Sequence, residues 1–347
     1  MNRFLKRLSL EKPIIQAPMA GGITTTEMVK AAMDGGILGS LASGYLAPQT
    51  LEEQIRIVSD HSDRPYQVNV FVPGNEKIPE DSEVNPWVAR VPASQKRGNF
   101  MTIEEQWADF YKKIDLILQY KVKMCSFTFQ LPPVKVVQQL KNEGCILMGT
   151  ASTVNEAVLM EERGMDMVCM QGSEAGGHRG GFFEENGDSS IGLIALIPQT
   201  VDAIDIPVIA AGGITDYRGL NAAMALGAEG VQVGTPFILC KESGAHHVHK
   251  QRILEANGAE TRVTSLFTGK KARGVVNKWM MENEGYEQSV LPYPHQHVLT
   301  KPMRQEAARA NDPARMSLWA GQGIGSLGKE RTVKEVIAKF DGTEGGV

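Results

Sequence analysis

Excess charge of either sign, long apolar runs and closely spaced cysteines are all scarce in this 347-residue chain. Lys and Arg number 36 against 40 Asp and Glu, a formal net charge of -4. So even a balance leaves no electropositive footprint for a nucleic acid or a membrane surface, and neither is expected as a partner. No apolar run is long enough to cross a bilayer. The opening MNRFLKRLSLEKP is basic but has no apolar h-region and no small-residue cleavage site, so a cytoplasmic location is expected. The four cysteines, Cys125, Cys145, Cys169 and Cys240, sit singly in apolar contexts without C-x-x-C spacing. They are expected as buried free thiols, neither disulfides nor metal ligands. His246, His247 and His249 do not fall on one helical face and have no accompanying carboxylate pattern. They read as a solvated helix start, and no metal is expected.

What the chain does have is alternation. Short apolar runs at 13–19, 37–41, 66–72, 124–129, 145–149, 167–171, 208–211 and 231–233 are each followed by a turn and a stretch with helical signals. Pro48 opens a helix in which Leu51, Ile55 and Val58 recur at helical spacing, Thr153 caps another, and Asp216 a third. Eight strand–helix pairs predict an α/β protein of the (β/α)8 TIM-barrel class, with an open doubly wound sheet as the weaker alternative. The expected division is a barrel over 1–242, a mostly helical lobe over 243–329 covering its mouth, and a last helix over 330–347 packing back on the barrel before a frayed tail. Residues 73–100, too long for an ordinary connection, are expected as an excursion that covers or flanks a site.

In such barrels the site lies at the C-terminal ends of the strands, and loops after strands 7 and 8 often bind phosphate. Here those loops are AAGGIT at 210–215 and QVGTPF at 232–237. Paired glycines let backbone N–H groups approach a phosphate, the helix after Asp216 adds its N-terminal dipole, and Thr235 a hydroxyl. After the sixth strand comes QGSEAGGHRGG at 171–181, with five glycines in eleven residues, one carboxylate, one imidazole and one guanidinium. It is expected as an active-site loop that presents His178. Asn69, polar inside the third apolar run, is expected to turn its amide toward a polar partner near the strand end.

PIIQAPMAGG near the start, Asn69, QGSEAGGHRGG, the pair AAGGI and QVGT, and LWAGQG at 318–323 together resemble the nitronate monooxygenase family, over nearly the whole chain. Related loops occur in FMN-dependent enoyl-acyl carrier protein reductases and quinone reductases. An NAD(P)H-dependent FMN reductase is therefore the alternative activity. The chain departs from the family pattern at Gln130, where a glycine is expected after Phe-Thr-Phe.

The resemblance implies non-covalent FMN, with Met19 near the isoalloxazine and Asn69 and Gln171 bonding the ring or ribityl chain. Gly176, Gly213, Gln232, Val233, Gly234 and Thr235 would hold the phosphate. His178 would face a nitronate, or take the α-proton of a nitroalkane with a ring titrating near neutrality. Arg179 would anchor the loop or pair with Glu174. The implied reaction takes a small-molecule nitronate and O2 to an aldehyde or ketone plus nitrite, in an anion pocket of donors rather than a dinucleotide groove. Self-association into a homo-oligomer is left open. In the lobe, Tyr293, His297 and Lys301 lie four apart and would share one side of a helix, as donors to an anionic substrate.

Overall fold

A computed structural model of the chain describes residues 2–91, 100–182 and 190–342. Positions 92–99 of the excursion and 343–347 of the tail lie outside the described residues. Eight parallel strands form the central sheet: β1 Ile14–Gln16, β2 Gly39–Ala42, β3 Tyr66–Phe71, β4 Met124–Thr128, β5 Ile146–Ala151, β6 Met167–Gln171, β7 Val208–Ala211 and β8 Gly230–Val233. Neighbours follow chain order from β2 to β8, and β8 pairs β1 through Ile14 and Val231. A parallel bridge from Ile15 to Leu38 closes the ring, making the expected (β/α)8 barrel.

The helices begin where the caps predicted. The helix Pro48–Ser59 carries proline in its first turn and buries Leu51, Ile55 and Val58. Thr153 accepts from Glu156 N while the Glu156 side chain reaches back, a reciprocal capping box for Val154–Glu162. Asp216 accepts from Arg218 N at the start of Tyr217–Ala225.

Because strand side chains alternate with period two, each strand sends one set inward and one toward the helices. The inward set is apolar at the bottom of the barrel, where Ile15, Leu38, Met124, Met148, Met167, Cys169 and Ile209 pack around Phe4 and Leu8 of the helix Arg3–Leu8. That short helix plugs the barrel, and truncating the fully buried Phe4 to Ala would cost about 3–5 kcal/mol. Higher up, the inward set turns polar. Gln67 Nε2 donates to Ser40 Oγ at 2.7 Å, and Asn69 Nδ2 donates to Ser126 Oγ and Thr128 Oγ1, each at 3.0 Å. The polar end is the C-terminal end of the strands, so the residues that can bind a ligand face one mouth.

The lobe contains more than helices. Thr261–Thr264 pairs antiparallel with Ala272–Val275, and the latter with Gly177–His178 from the loop after β6. The sequence concealed this sheet because TRVT, ARGV and GH are too short to show alternation. The excursion is joined to the lobe. Its helix Asp81–Arg90 buries Val84 and Trp87 in a cluster with Leu266, Phe267, Trp279, Leu299 and Met303, and Trp87 Nε1 donates to Ser289 O at 2.6 Å. The last helix, Val333–Ala338, packs on Thr26–Asp34, with Val333, Val336 and Ile337 buried in the barrel's outer core. Among the described residues, no helix is long and apolar enough to cross a membrane.

Candidate active site

Three glycine-bearing loops interlock over the strand ends. After β7, Gly212 and Gly213 adopt φ of 140° and 65°, a backbone that residues with a Cβ rarely take. After β8, Thr235 Oγ1 accepts from Gly321 N at 3.0 Å. Gly321 and Gly323 belong to LWAGQG, which no regular element announces, yet which threads between the barrel loops. A Cβ on Gly323 would stand 2.7 Å from Gly213 O, and one on Gly176 would stand 2.4 Å from Gly321 N. Gln322 N donates to Glu174 O at 2.9 Å, completing the seam. The result is a cradle of backbone edges beside the N-terminus of Tyr217–Ala225, suited to a phosphate.

The cavity above holds about 1260 Å³ of empty space, its mouth included. Met19, Asn69, Gln171, Gln232, Phe129 and Trp319 are among its lining residues. Gln232 Oε1 is buried with no hydrogen-bond partner among the described residues, an acceptor that could serve a ligand. Asn69 spends its amide N–H groups on Ser126 and Thr128, which turns its oxygen toward the cavity. Glycine edges below and apolar or amide side chains above fit a planar heterocycle carrying a phosphate.

The loop that presents His178 is clasped at both ends. Gln171 Nε2 donates to His178 O at 2.9 Å, and Gln171 Oε1 accepts from Gly180 N at 2.7 Å. Arg179 is buried and returns the clasp, donating to Gly172 O and Gln171 O at 2.7 Å. It is the loop anchor. Glu174 accepts instead from Leu193 N at 2.9 Å, at the start of the helix Leu193–Val201. The His178 ring lies among Phe129, Tyr293 and Trp319, with centroids 5.8, 6.1 and 5.5 Å away. Its Nε2 is 3.0 Å from Thr268 Oγ1. Burial, then Lys270 and Arg304, push its pKa down to about 3. This corrects the expectation of a ring titrating near neutrality: His178 is neutral at physiological pH.

The sequence-derived set is gathered unevenly. Met19, Asn69, Gln171, Gly176, His178, Gly213, Gln232, Gly234 and Thr235 all line the one cavity. Val233 does not. Since Gln232 points in, alternation sends Val233 out into the helix-facing core, and only its backbone serves, its carbonyl accepting from Ala17 N. Tyr293 precedes the helix His295–Arg309, so the four-residue spacing does not align it with His297 and Lys301. Tyr293 still packs on Phe129 at 5.1 Å, and His297 stacks on Tyr45 at 4.3 Å, whereas Lys301 is exposed. The cation behind this wall is the half-buried Arg304, whose Nη2 donates to His297 O at 2.8 Å and whose pKa is lowered to about 10 by loss of solvent around it. Nothing in the sequence distinguished Arg304, Tyr45 or Thr268. Gln130 lies outside the cavity lining, while Phe129 before it takes φ of 85° and donates its N–H to Gly180 O. Of the three histidines at 246–249, His249 is buried and hydrogen-bonded through Nε2 to Trp319 O at 2.9 Å, so the expected solvated helix start does not hold for it. Residues 323–328 do spell G-x-G-x-x-G, but they sit around a 3-10 turn, Gln322–Ser326, rather than between a strand and a helix, so they form no dinucleotide fingerprint.

Fold and site together define a (β/α)8 barrel enzyme with a glycine-edged cradle at its mouth and one histidine set above it. The nitronate monooxygenase family model matches residues 2–341. A Bacillus subtilis (strain 168) protein described as a "probable nitronate monooxygenase" is 58% identical over 337 residues, covering 97% of each chain. A Staphylococcus haemolyticus protein of the same description is 40% identical, covering 92% of this chain and 91% of its own. Among solved structures, a nitroalkane oxidase from Streptomyces ansochromogenes superposes with a TM-score of 0.88 at 35% identity, over 97% of this chain and 96% of that one. FabK from Thermotoga maritima superposes at 0.77 with 27% identity, over 99% and 95%. The chain belongs to the nitronate monooxygenase family of flavin-dependent oxidoreductases.

Proposed function

We propose that this chain is an FMN-dependent nitronate monooxygenase, taking alkyl nitronates such as propionate 3-nitronate, with O2, to an aldehyde or ketone plus nitrite. One observation carries the reading: among the described residues that line the cavity there is no Asp, Glu, Lys or Arg, and His178 is the sole base. Burial of the ring lowers its proton affinity, and Lys270 and Arg304, behind the uncharged lining, lower it further and favour an anionic substrate. The neutral imidazole can hydrogen-bond a nitronate oxygen or remove the α-proton of a nitroalkane.

Bound FMN supplies the one-electron acceptor that no side chain here provides. Gly176, Gly213, Gly234 and Thr235 would hold its phosphate, while Asn69 and Gln232 would orient the ring system against Met19. The aromatic residues Phe129, Tyr293 and Trp319 exclude water around His178. Four free, buried cysteines suit a reducing cytoplasm.

The test is anaerobic. Purified protein should be yellow and release FMN on denaturation. Mixed with propionate 3-nitronate, its flavin absorbance should fall without any nicotinamide. Likeness to FabK makes an NAD(P)H-dependent reductase the second reading. Rapid bleaching by NADH or NADPH with no response to nitronate would establish it in place of the first. A colourless protein that cannot be reconstituted with FMN would reject both.

A further inference from the structure

The mechanism just proposed uses His178 but not the group that holds its ring. Thr268 is 1% exposed, and its Oγ1 lies 3.0 Å from His178 Nε2 and 3.1 Å from Lys270 O. The hydroxyl has one proton to give, and its two candidate acceptors are Lys270 O, which can only accept, and His178 Nε2, while Lys270 N donates to the same Oγ1 at 3.4 Å. Given to the carbonyl, the proton leaves Oγ1 to accept from the ring, which sets His178 as the Nε2–H tautomer. Its Nδ1 makes no hydrogen bond to any described residue and keeps a bare lone pair.

Thr268 is itself held from both sides. Its N–H and that of Gly269 donate to Ser265 O, at 3.1 and 2.8 Å. Gly269 has φ of 81° and lies against Leu291 O and Tyr293 N, where no Cβ could fit. From the helix His295–Arg309, Gln296 Nε2 donates to Leu266 O at 3.1 Å, and Thr300 Oγ1 donates to Phe267 O. The lobe therefore sets the position of the threonine hydroxyl, while the barrel loop sets that of the histidine backbone.

From this geometry we infer that Thr268 is a positioning residue for proton abstraction, and that Nδ1 of His178 is the basic atom. The inference rests on the nitronate monooxygenase reading. In the step it describes, the Cα–H bond of a neutral nitroalkane breaks, its electron pair forms the C=N of the nitronate, and the proton bonds Nδ1. The imidazolium so formed keeps its Nε2–H···Oγ1 bond and later returns the Nδ1 proton to water. A preformed nitronate skips that step.

The experiment compares FMN-loaded wild type with Thr268→Val and Thr268→Ser. Steady-state kcat/KM is measured on nitroethane and on its preformed nitronate, and long-range 1H–15N correlations are recorded on protein labelled at histidine, with His178→Gln supplying the assignment. Wild type should show a protonated Nε2 and a bare Nδ1. Thr268→Val, isosteric but lacking the hydroxyl, should lose about tenfold more on nitroethane than on the nitronate, the worth of one hydrogen bond. Thr268→Ser should restore both. A protonated Nδ1 in wild type, or a valine variant whose losses on the two substrates are equal, would overturn the inference. Melting temperature and FMN content are recorded for each variant. If the valine variant does not fold, the wild-type spectrum and the serine variant still decide it. Turnover of neither substrate by wild type would instead refute the functional reading, and the nitrogen spectrum would then decide the hydrogen bond by itself.

Discussion

Gly176 and Gly177 are adjacent, identical in chemistry and placed in the same loop, yet alanine should affect them by different routes. A Cβ at Gly176 would lie 2.4 Å from Gly321 N and 2.5 Å from Ala320 C, both backbone atoms that no rotamer change can move. To reach ordinary contact, the seam between the barrel loop and LWAGQG must open by about 1 Å, and overpacking of that kind costs about 3 kcal/mol. At Gly177 nothing lies within 4 Å, but φ is 74°, so alanine there costs about 1 kcal/mol of backbone strain. An unfolding entropy of about 2.1 cal/mol/K per residue converts these to melting-temperature losses of about 4 °C and about 1.4 °C for a chain of this length. The second readout is FMN affinity, followed by the quenching of flavin fluorescence on titration into apoprotein. Opening the seam separates Gly321 N from Thr235 Oγ1 and loosens the cradle, so Gly176→Ala should bind FMN at least about tenfold more weakly, the loss expected for one such bond. Gly177→Ala should bind it as wild type does. Equal melting and equal FMN affinity in the two variants would refute the claim that a close approach of the lobe segment builds the cradle.

Three further outcomes follow from the same geometry. The folded-state pKa of His178 is about 3, below its ordinary 6.5, so its basic form is complete above about pH 4 and is lost only as pH falls toward 3. The kcat/KM for nitroethane should therefore stay flat between pH 5 and 8, and a break near 6.5 would contradict it. Arg304→Met removes one of the two cations whose field lowers that pKa, so the acid limb of the profile should move to higher pH; an unmoved limb would show that the field of Arg304 does not reach the ring. Trp87→Phe deletes the hydrogen bond from the excursion helix to Ser289 O, worth about 1 kcal/mol, and should lower the melting temperature by about 1.4 °C while FMN content stays at the wild-type level.

The barrel was legible in the sequence because its signals are local. Thr153 and Asp216 announce helix starts within their own turns, and a parallel strand buried on both faces reads as an apolar run such as MVCM before Gln171. The cradle glycines were legible for a related reason: a φ of 65° at Gly213 is a property of one residue, and glycine is the residue that takes it. Val233 shows where the same locality misleads. The resemblance implies a continuous stretch of contacts over Gln232–Thr235, whereas the strand runs through Val233 and alternation assigns that side chain to the other face.

The wall around His178 was not legible, and the reason is physical. Thr268, Arg304 and Trp319 act on the histidine from three separate segments, and their relation depends on how a lobe docks on a barrel rather than on any period in the chain. Periodicity predicted one face for Tyr293, His297 and Lys301, but the helix starts at His295, so the spacing carried no information about Tyr293. Lys301, expected as a donor, stands in solvent, and it is Arg304, three residues on and unmarked in the sequence, that meets the His297 carbonyl. A charge enclosed in this way, with no carboxylate partner among the described residues, acts on whatever ionises nearby. Here that is His178, a barrel residue whose pKa is lowered first by burial, then by Lys270, and then by Arg304.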